Sequence, residues 1–246
     1  MVFRRRRFKQ YLSRFKRNAG RSKAASLKTK RLKSLDVISV KKIGYQSSVT
    51  EISGLLDRLD KNEINMVPWP AHPYKPSASF TIAAGPDCLF IKYFVTEQHL
   101  RATNDESNAP VWEDSCVEVF ISFGDSGYYN FELNCIGTIL AAYGPNRHER
   151  KFLSPVIIKA IKTFTVIDRM TAGPSISWDL IVVIPLSVFV HDHIKSLQGV
   201  EARANFFKCG EKTQQPHYLS WNNIETPEPD FHQPGFFGKL RFLRPE

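Results

Sequence analysis

Short apolar runs, separated by glycine, proline, asparagine and aspartate, make up most of the chain from residue 80 onward. The runs are rich in Val, Ile, Phe and Tyr, which is the pattern of β-strands joined by turns. Many short strands predict an all-β fold, an antiparallel, jelly-roll-like β-sandwich, rather than βαβ units. The predicted strands are residues 80–84, 88–95, 116–123, 128–135, 138–143, 156–167, 176–184, 201–208 and 236–242.

The region before these strands predicts a short helix near the N-terminus. Residues 35–43 alternate like an edge strand, and residues 47–64 begin with a Ser or Thr that can cap a helix. Residues 67–77 contain four prolines and are expected to be irregular. The apolar face of the predicted helix consists of Ile52, Leu55, Leu56 and Leu59.

Two strands in the middle of the chain carry carboxylates on an otherwise apolar background. Side chains alternate across a sheet, so Glu118 lies on the face opposite Val117 and Val119. If the next strand forms a hairpin with it, Glu132 lies on the same polar face, with Trp112 at its rim. The polar face is predicted to carry Cys116, Glu118, Phe120, Tyr128, Asn130, Glu132 and Asn134.

Such a face has two interpretations. An antiparallel sheet commonly exposes one face to water, where Glu and Asn are ordinary solvated residues. Alternatively, aromatic rings stack on sugar rings while carboxylates and amides bond to the sugar hydroxyls. The Pro-rich residues 216–238 favour the second interpretation, since long irregular segments tend to be functional loops. Trp221 and Phe231 in this segment are candidate ligand-binding rings, whereas Tyr218 and Phe236 are expected to plug one end of the sandwich.

The positive charge of the chain is concentrated at its start. Of 34 Lys and Arg, 14 lie in residues 1–35, which contain no Asp or Glu, so the body is mildly acidic. Residues 1–35 are predicted to be a basic extension, disordered or loosely helical, and residues 36–246 to be the domain. The start lacks the apolar stretch of a signal peptide, and no apolar run is long enough to span a bilayer, which leaves the localisation unknown.

The cysteines and histidines give no sign of a metal site. The four cysteines are widely spaced, form no C-x-x-C pair, and are expected to be free and mostly buried. His217 and His232 have no standard ligand spacing relative to Cys209 or Asp230 and are expected to be hydrogen-bonded loop residues. No cofactor is expected.

Five blocks of sequence follow one another over about residues 36–243: VPWPAHPYKPSASFTIA, VWEDSCVEVFI, YYNFELNCIGT, WDLIVVIP and RANFFKCGEKTQQPHYLSWNNIETPEPDFHQPGFFGKLRF. Together they resemble the family 9-like carbohydrate-binding proteins of Bacteroides-type bacteria. The resemblance implies a β-sandwich that binds a glycan or oligosaccharide without cleaving it, in support of carbohydrate catabolism. The calcium sites of some members would need an acidic cluster that this chain lacks.

The resemblance also implies roles for individual residues. Trp112 matches the first tryptophan of an aromatic clamp, and Phe231 falls at the position of the second. Glu118 matches a carboxylate that bonds to sugar hydroxyls. Glu132 stands where founding members have an arginine, which removes a donor and adds negative charge. With Trp221 from the Pro-rich segment, these residues form the predicted ligand site, and Glu113 and Asp114 are expected to shape the turn that presents Trp112.

Two other functions compete with this prediction. Glu118 and Glu132 would suit a retaining glycosidase if they lay roughly 5 Å apart, but a sheet face flanked by loops is unlike a deep catalytic cleft, and we expect no enzyme. The basic residues 1–35 would suit binding to nucleic acid or a membrane surface, which should weaken steeply with salt.

Overall fold

The computed structural model describes residues 32–169 and 175–244, in which most elements are β-strands. The helices are α1 (Val49–Leu56) and α2 (Pro155–Ile158), and single 3₁₀ turns occupy Val111–Glu113, Leu186–Val188 and Pro234–Phe236. The strands are β1 (Ser34–Val37), β2 (Asn62–Glu63), β3 (Ser77–Ala84), β4 (Cys88–Glu97), β5 (Cys116–Ser122), β6 (Tyr128–Asn134), β7 (Ile139–Gly144), β8 (Lys151–Phe152), β9 (Lys162–Arg169), β10 (Ile176–Pro185), β11 (Glu201–Cys209), β12 (Tyr218–Ser220) and β13 (Gly238–Phe242).

These strands form two sheets, as predicted for a β-sandwich. The eight-stranded sheet has the order β1-β13-β11-β5-β6-β7-β8, with β12 also paired to β11. The five-stranded sheet has the order β2-β3-β4-β10-β9. Neighbours are antiparallel apart from β1 and β13, which are parallel. The predicted fold class is therefore confirmed. Among the described residues, no helix is both long enough and apolar enough to cross a membrane.

The main core lies between the two sheets. The inward side chains of both sheets contribute to it, as the alternation of apolar positions predicted. Phe80 of β3 and Phe206 of β11 stack across the interface with their ring centroids 3.6 Å apart. Trp178 of β10 is also fully buried in this core.

Helix α1 covers the outer face of the five-stranded sheet. Ser48 caps it and forms a reciprocal capping box with Glu51, which satisfies two backbone donors at the helix start. Its apolar side packs on β3, β4 and β10, with Ile52, Leu55 and Leu56 buried and Leu59 partly buried, as the helical spacing predicted. The helix is thus held by its cap and by burial of one face.

Two local differences from the sequence prediction have clear causes. Residues 156–167 are not one strand, because Ser154 caps the short helix α2 with Pro155 in its first turn, and β9 begins only at Lys162. Residues 34 and 35, assigned to the basic extension, belong to β1, which pairs with the last strand. Residues 1–31 of that extension lie outside the described residues.

A buried ion pair connects the two sheets at one end of the core. Lys208 of β11 and Glu97 of β4 are 3.1 Å apart, and both side chains are fully buried. Glu97 accepts a hydrogen bond from Trp178 (2.7 Å), and the Lys208 ammonium donates to the Cys209 carbonyl and to His217. Each charge thus has a counter-charge and further hydrogen bonds, the condition under which a buried pair is tolerated.

We predict that breaking this pair from one side is costly. Glu97→Gln leaves a buried ammonium without its counter-charge and should lower the free energy of unfolding by about 3–5 kcal/mol. The double variant Glu97→Gln/Lys208→Met should recover most of that loss. Denaturant unfolding followed by circular dichroism measures both.

The surface pair Asp36 and Arg241, which is 2.6 Å apart and about half exposed, is the matched control. Asp36→Asn should cost less than about 1 kcal/mol. Equal losses for Glu97→Gln and Asp36→Asn would contradict the importance assigned to the core pair.

Candidate functional site

The polar face of the eight-stranded sheet is covered by a loop and is not exposed to solvent as a whole. Glu118 of β5 lies directly opposite Glu132 of β6, as the predicted hairpin requires, but the two residues are only 2% and 3% exposed. The irregular segment that follows β12 lies over this face, and Phe231 from it stacks on Phe207 with centroids 4.2 Å apart. The interpretation of ordinary solvated carboxylates is therefore wrong, and the face lies beneath a loop.

A cavity remains between the sheet and the loops that cover it. Its volume is about 100 Å³, smaller than the roughly 300–1,000 Å³ typical of pockets that enclose a small molecule. Aromatic rings and charged groups both line it, which suits a ligand with apolar faces and polar edges. The lining residues are Trp112, Glu118, Glu132, Arg147, Arg150, Cys209, Glu211, Tyr218, Pro229, Asp230, Phe231 and His232.

Trp112 is presented by the 3₁₀ turn just before β5 and is half-buried. The next residues anchor that turn, as predicted. Asp114 is fully buried and accepts from the backbone amides of Thr103 and Asn104 at 3.1 and 3.0 Å. Burial opposes ionisation of Asp114, but these donors outweigh it and hold its pKa below the ordinary value. Glu113 pairs with Lys212 at 2.7 Å, on the outside of the turn.

The floor of the cavity contains a pair of opposed carboxyl groups with one counter-charge. Burial, with Cys209 and Glu132 nearby, raises the pKa of Glu118 well above its usual range. Burial also raises the pKa of Glu132, although Arg150 acts against it. Because like charges directly opposite each other repel, this arrangement places a proton on Glu118 and the negative charge on Glu132.

Arg150 corrects one expectation from the sequence. Glu132 was expected to remove a donor and add negative charge. Instead the Arg150 guanidinium, which comes from the loop between β7 and β8, lies 3.0 Å from Glu132 Oε1. The site thus keeps a guanidinium, contributed by a different part of the chain.

His232 links Arg150 to Tyr128. Its Nε2 atom is 2.9 Å from Arg150 Nη1 and its Nδ1 atom is 2.8 Å from the Tyr128 hydroxyl. Since arginine only donates, Nε2 must accept, and the ring proton lies on Nδ1. Burial and the neighbouring Arg150 lower the pKa of His232 to about 2, so the ring is neutral.

The predicted site residues do not all come together. Trp112, Glu118, Glu132 and Phe231 line the one cavity, whereas Trp221 does not. Trp221 is 3% exposed and packs edge-on against Phe80 and Phe206 in the core between the sheets. Its assignment to the site is corrected, because β12 turns this end of the segment into the core.

Tyr218 was expected only to plug one end of the sandwich, but it belongs to the site. It lines the cavity while it packs edge-on against Trp69 and Phe231, so it serves the site as well as the packing. Arg147 and Arg150, in the loop NRHER, also line the cavity, although the sequence did not predict them as site residues. Two arginines in a loop between strands are a usable signal of a binding site, because functional residues often lie on loops. The sequence around this loop does not show which face of the sheet the arginines reach.

The four cysteines are free and buried, as expected. His217 and His232 are hydrogen-bonded, and neither lies in a group of possible metal ligands within the described chain. His217 accepts from Lys208 (2.9 Å) and donates from Nδ1 to the Gln215 carbonyl (2.8 Å). Over residues 32–169 and 175–244, one group of three potential ligands is found, and it consists of Cys116, Glu118 and Cys209.

The architecture agrees with comparisons to known proteins. The model of carbohydrate-binding family 9 matches residues 51–242. The chain belongs to carbohydrate-binding family 9. The predicted resemblance is thereby confirmed for the domain, and the match does not include the basic residues at the start. No curated protein sequence matches the chain.

Solved structures share the fold of this chain. A proposed carbohydrate-binding protein from Bacteroides uniformis is 37% identical, with 86% of this chain and all of that chain covered and a TM-score of 0.79. A family 9 module from Caldicellulosiruptor kristjanssonii shares the fold at 10% identity in complex with cellotriose and 11% in complex with glucose. The TM-scores are 0.56 and 0.54, with 87% of this chain and 95% and 97% of the module covered.

The two buried histidines predict a pH dependence of stability. Burial and Lys208 lower the pKa of His217 to about 3, and the pKa of His232 is lowered to about 2. In the unfolded chain both would titrate near pH 6.5. The unfolded state therefore binds more protons, and stability should fall as the pH drops from about 6.5 toward 4, by roughly 1.4 kcal/mol per pH unit for each histidine.

His217→Gln should reduce this slope by the share of one histidine. Urea unfolding at a series of pH values measures it. His193→Asn is the matched control, since His193 is exposed and has a positive φ that asparagine tolerates. An unchanged slope in His217→Gln would show that this histidine is not held neutral by the fold.

Proposed function

We propose that the domain binds the end of a glycan in the cavity lined by Trp112 and Phe231, without cleaving it. The proposal is supported by one observation. A single surface cavity has aromatic rings on its walls and the ion pair of Arg150 and Glu132 on its floor. A sugar ring has apolar faces and a hydroxyl-bearing edge, so it needs both kinds of surface at once. Family 9 membership supports the same conclusion.

Each group has a distinct task in this proposal. Trp112 and Phe231 offer apolar ring faces to the sugar, and Tyr218 adds a third ring. Arg150 donates to hydroxyl oxygens, and the ionised Glu132 accepts hydroxyl protons. The protonated Glu118 both donates and accepts, which lets it meet a hydroxyl in either orientation.

The absence of cleavage is also part of the proposal. Glu132 Oε1 already accepts from Asn130 (2.9 Å) and Arg150 (3.0 Å), which makes it a weak nucleophile. The cavity also lies over a sheet and under loops, unlike the deep cleft of most glycosidases. The C. kristjanssonii module shares only the fold at its low identity, so its bound sugars do not identify the sugar for this chain.

The alternative function through the basic residues 1–35 gains no support from the family match, which begins at residue 51. Binding of an anionic surface by those residues would weaken steeply with salt. Glycan binding through neutral hydroxyls would not. Titration at two salt concentrations distinguishes the two.

We predict that Trp112→Ala abolishes most of the glycan affinity. Loss of a stacking ring at the centre of a site costs about 2 kcal/mol or more, which is roughly 30-fold in affinity. The measurement is calorimetric titration of the full chain with a panel of mono- and oligosaccharides, with chromatography of the mixtures to detect cleavage.

Phe164→Ala is the matched control, because it removes a partly exposed ring from β9 in the other sheet. It should leave the affinity unchanged. Equal glycan affinities of the wild type and Trp112→Ala would show that the glycan binds elsewhere. Release of shortened sugars would overturn the non-catalytic proposal.

Arg150→Met should weaken glycan binding and also destabilise the fold at neutral pH. It removes a hydroxyl donor and leaves Glu132 buried without its counter-charge. The double variant Arg150→Met/Glu132→Gln should restore stability without restoring affinity, as thermal unfolding and calorimetry together would show. Restored affinity in the double variant would mean that Arg150 only neutralises Glu132. Arg241→Met, remote on β13, is the control.

A further inference from the structure

Two cysteines and a carboxyl group meet at the base of the cavity. Cys209 of β11 lies directly opposite Cys116 of β5 in the sheet register, and Glu118 follows two residues later on the same face. Cys209 Sγ is 3.1 Å and Cys116 Sγ is 4.0 Å from Glu118 Oε1. The three ligand atoms all lie within 4.8 Å of one another.

Glu118 has an unusual environment for a carboxyl group. It is 2% exposed, and none of the ion pairs found among the described residues includes it. Its Oε1 atom faces two thiols, which are weak hydrogen-bond donors. A carboxyl group in such a place is stable only if it keeps its proton or if a cation takes the place of that proton.

We propose that Cys116, Cys209 and Glu118 bind one thiophilic divalent metal ion of the Zn²⁺ type. Zinc lies about 2.3 Å from thiolate sulfur and about 2.0–2.2 Å from carboxylate oxygen in tetrahedral sites, which places sulfur and oxygen ligands roughly 3.5 Å apart. The two sulfur–oxygen separations here, 3.1 and 4.0 Å, lie on either side of that value. Small side-chain rotations complete the site.

The ligand set determines the kind of ion. Thiolate ligands favour Zn²⁺ over Mg²⁺ and Ca²⁺, which take oxygen ligands. The two thiols and the carboxyl group release the protons they carry as two metal–sulfur bonds and one metal–oxygen bond form. Three ligands from the protein leave a fourth position, the arrangement of zinc sites that accept an outside ligand.

The cavity provides both the route to the site and the fourth ligand. Glu118 and Cys209 line the cavity, whereas Cys116 lies fully buried behind them. An ion therefore approaches from the side of Trp112 and completes its coordination with an oxygen from that side. Metal binding removes the proton that Glu118 would donate to a sugar, so it is measured without sugar and is tested separately from the proposed glycan function.

The test uses the full chain, purified without a histidine tag, reduced and treated with a chelator. Co²⁺ is the spectroscopic probe, because thiolate-to-cobalt charge transfer gives a near-ultraviolet band. We expect one equivalent of Co²⁺ to produce this band and one equivalent of Zn²⁺ to remove it. Calorimetry with Zn²⁺ gives the affinity.

Variants locate the ion. Cys209→Ala and Glu118→Gln should each lower the Zn²⁺ affinity by more than about 100-fold, beyond the 10- to 100-fold typical for loss of an outer-shell contact. The double variant Cys88→Ser/Cys135→Ser removes the other two buried thiols and should retain the band. Circular dichroism checks that each variant is folded.

A measurement on the wild type alone guards against misfolded variants. Zn²⁺ should slow alkylation of Cys116 and Cys209, but not of Cys88 and Cys135, as mass spectrometry of labelled peptides would show. A reduced wild type that binds no Co²⁺ through thiolate, or equal protection of all four cysteines, would overturn the proposal. So would a band that persists in folded Cys209→Ala.

Discussion

The buried pair of Lys208 and Glu97 imposes a constraint on which the site depends. Adjacent residues of a strand face opposite sides of a sheet, so Lys208 points into the core while Cys209 points into the cavity. A one-residue slip of β11 would place an ammonium beside Glu118 and a thiol in the core. The ion pair with the opposite sheet therefore determines which face of β11 forms the floor of the site. His217, bonded to the same ammonium, ties the start of the covering segment to that register.

The charges of the site are balanced by residues that are distant in sequence. Arg150 neutralises Glu132 from a loop between strands, and the neutral His232 accepts from the same guanidinium. A buried carboxylate that looks unfavourable in one strand is thus compensated elsewhere. The floor of the site brings together the carboxylate of Glu132, the carboxylic acid of Glu118 and the guanidinium of Arg150, which together can donate and accept hydrogen bonds.

Much of the fold could be predicted from the chain, and the site only in part. Strand alternation placed Glu118 and Glu132 opposite each other, and the structure has that register. Alternation cannot show what covers a sheet face, because that depends on packing by segments remote in sequence. For this reason Trp221 was placed in the site, although it lies in the core, and Arg150 was missed. The thiol cluster was missed for a similar reason, since spacing rules look for ligands that are close in sequence.

The parallel pairing of β1 with β13 has a consequence for the synthesis of the chain. Ser34–Val37 pairs with Gly238–Phe242, so the first strand of the domain has no hydrogen-bonded partner strand in its sheet until the last strand has been synthesised. The loop that carries Phe231 also emerges near the end, and it completes the cavity. The eight-stranded sheet therefore keeps an open edge and an open polar face until these late segments of the domain have been made.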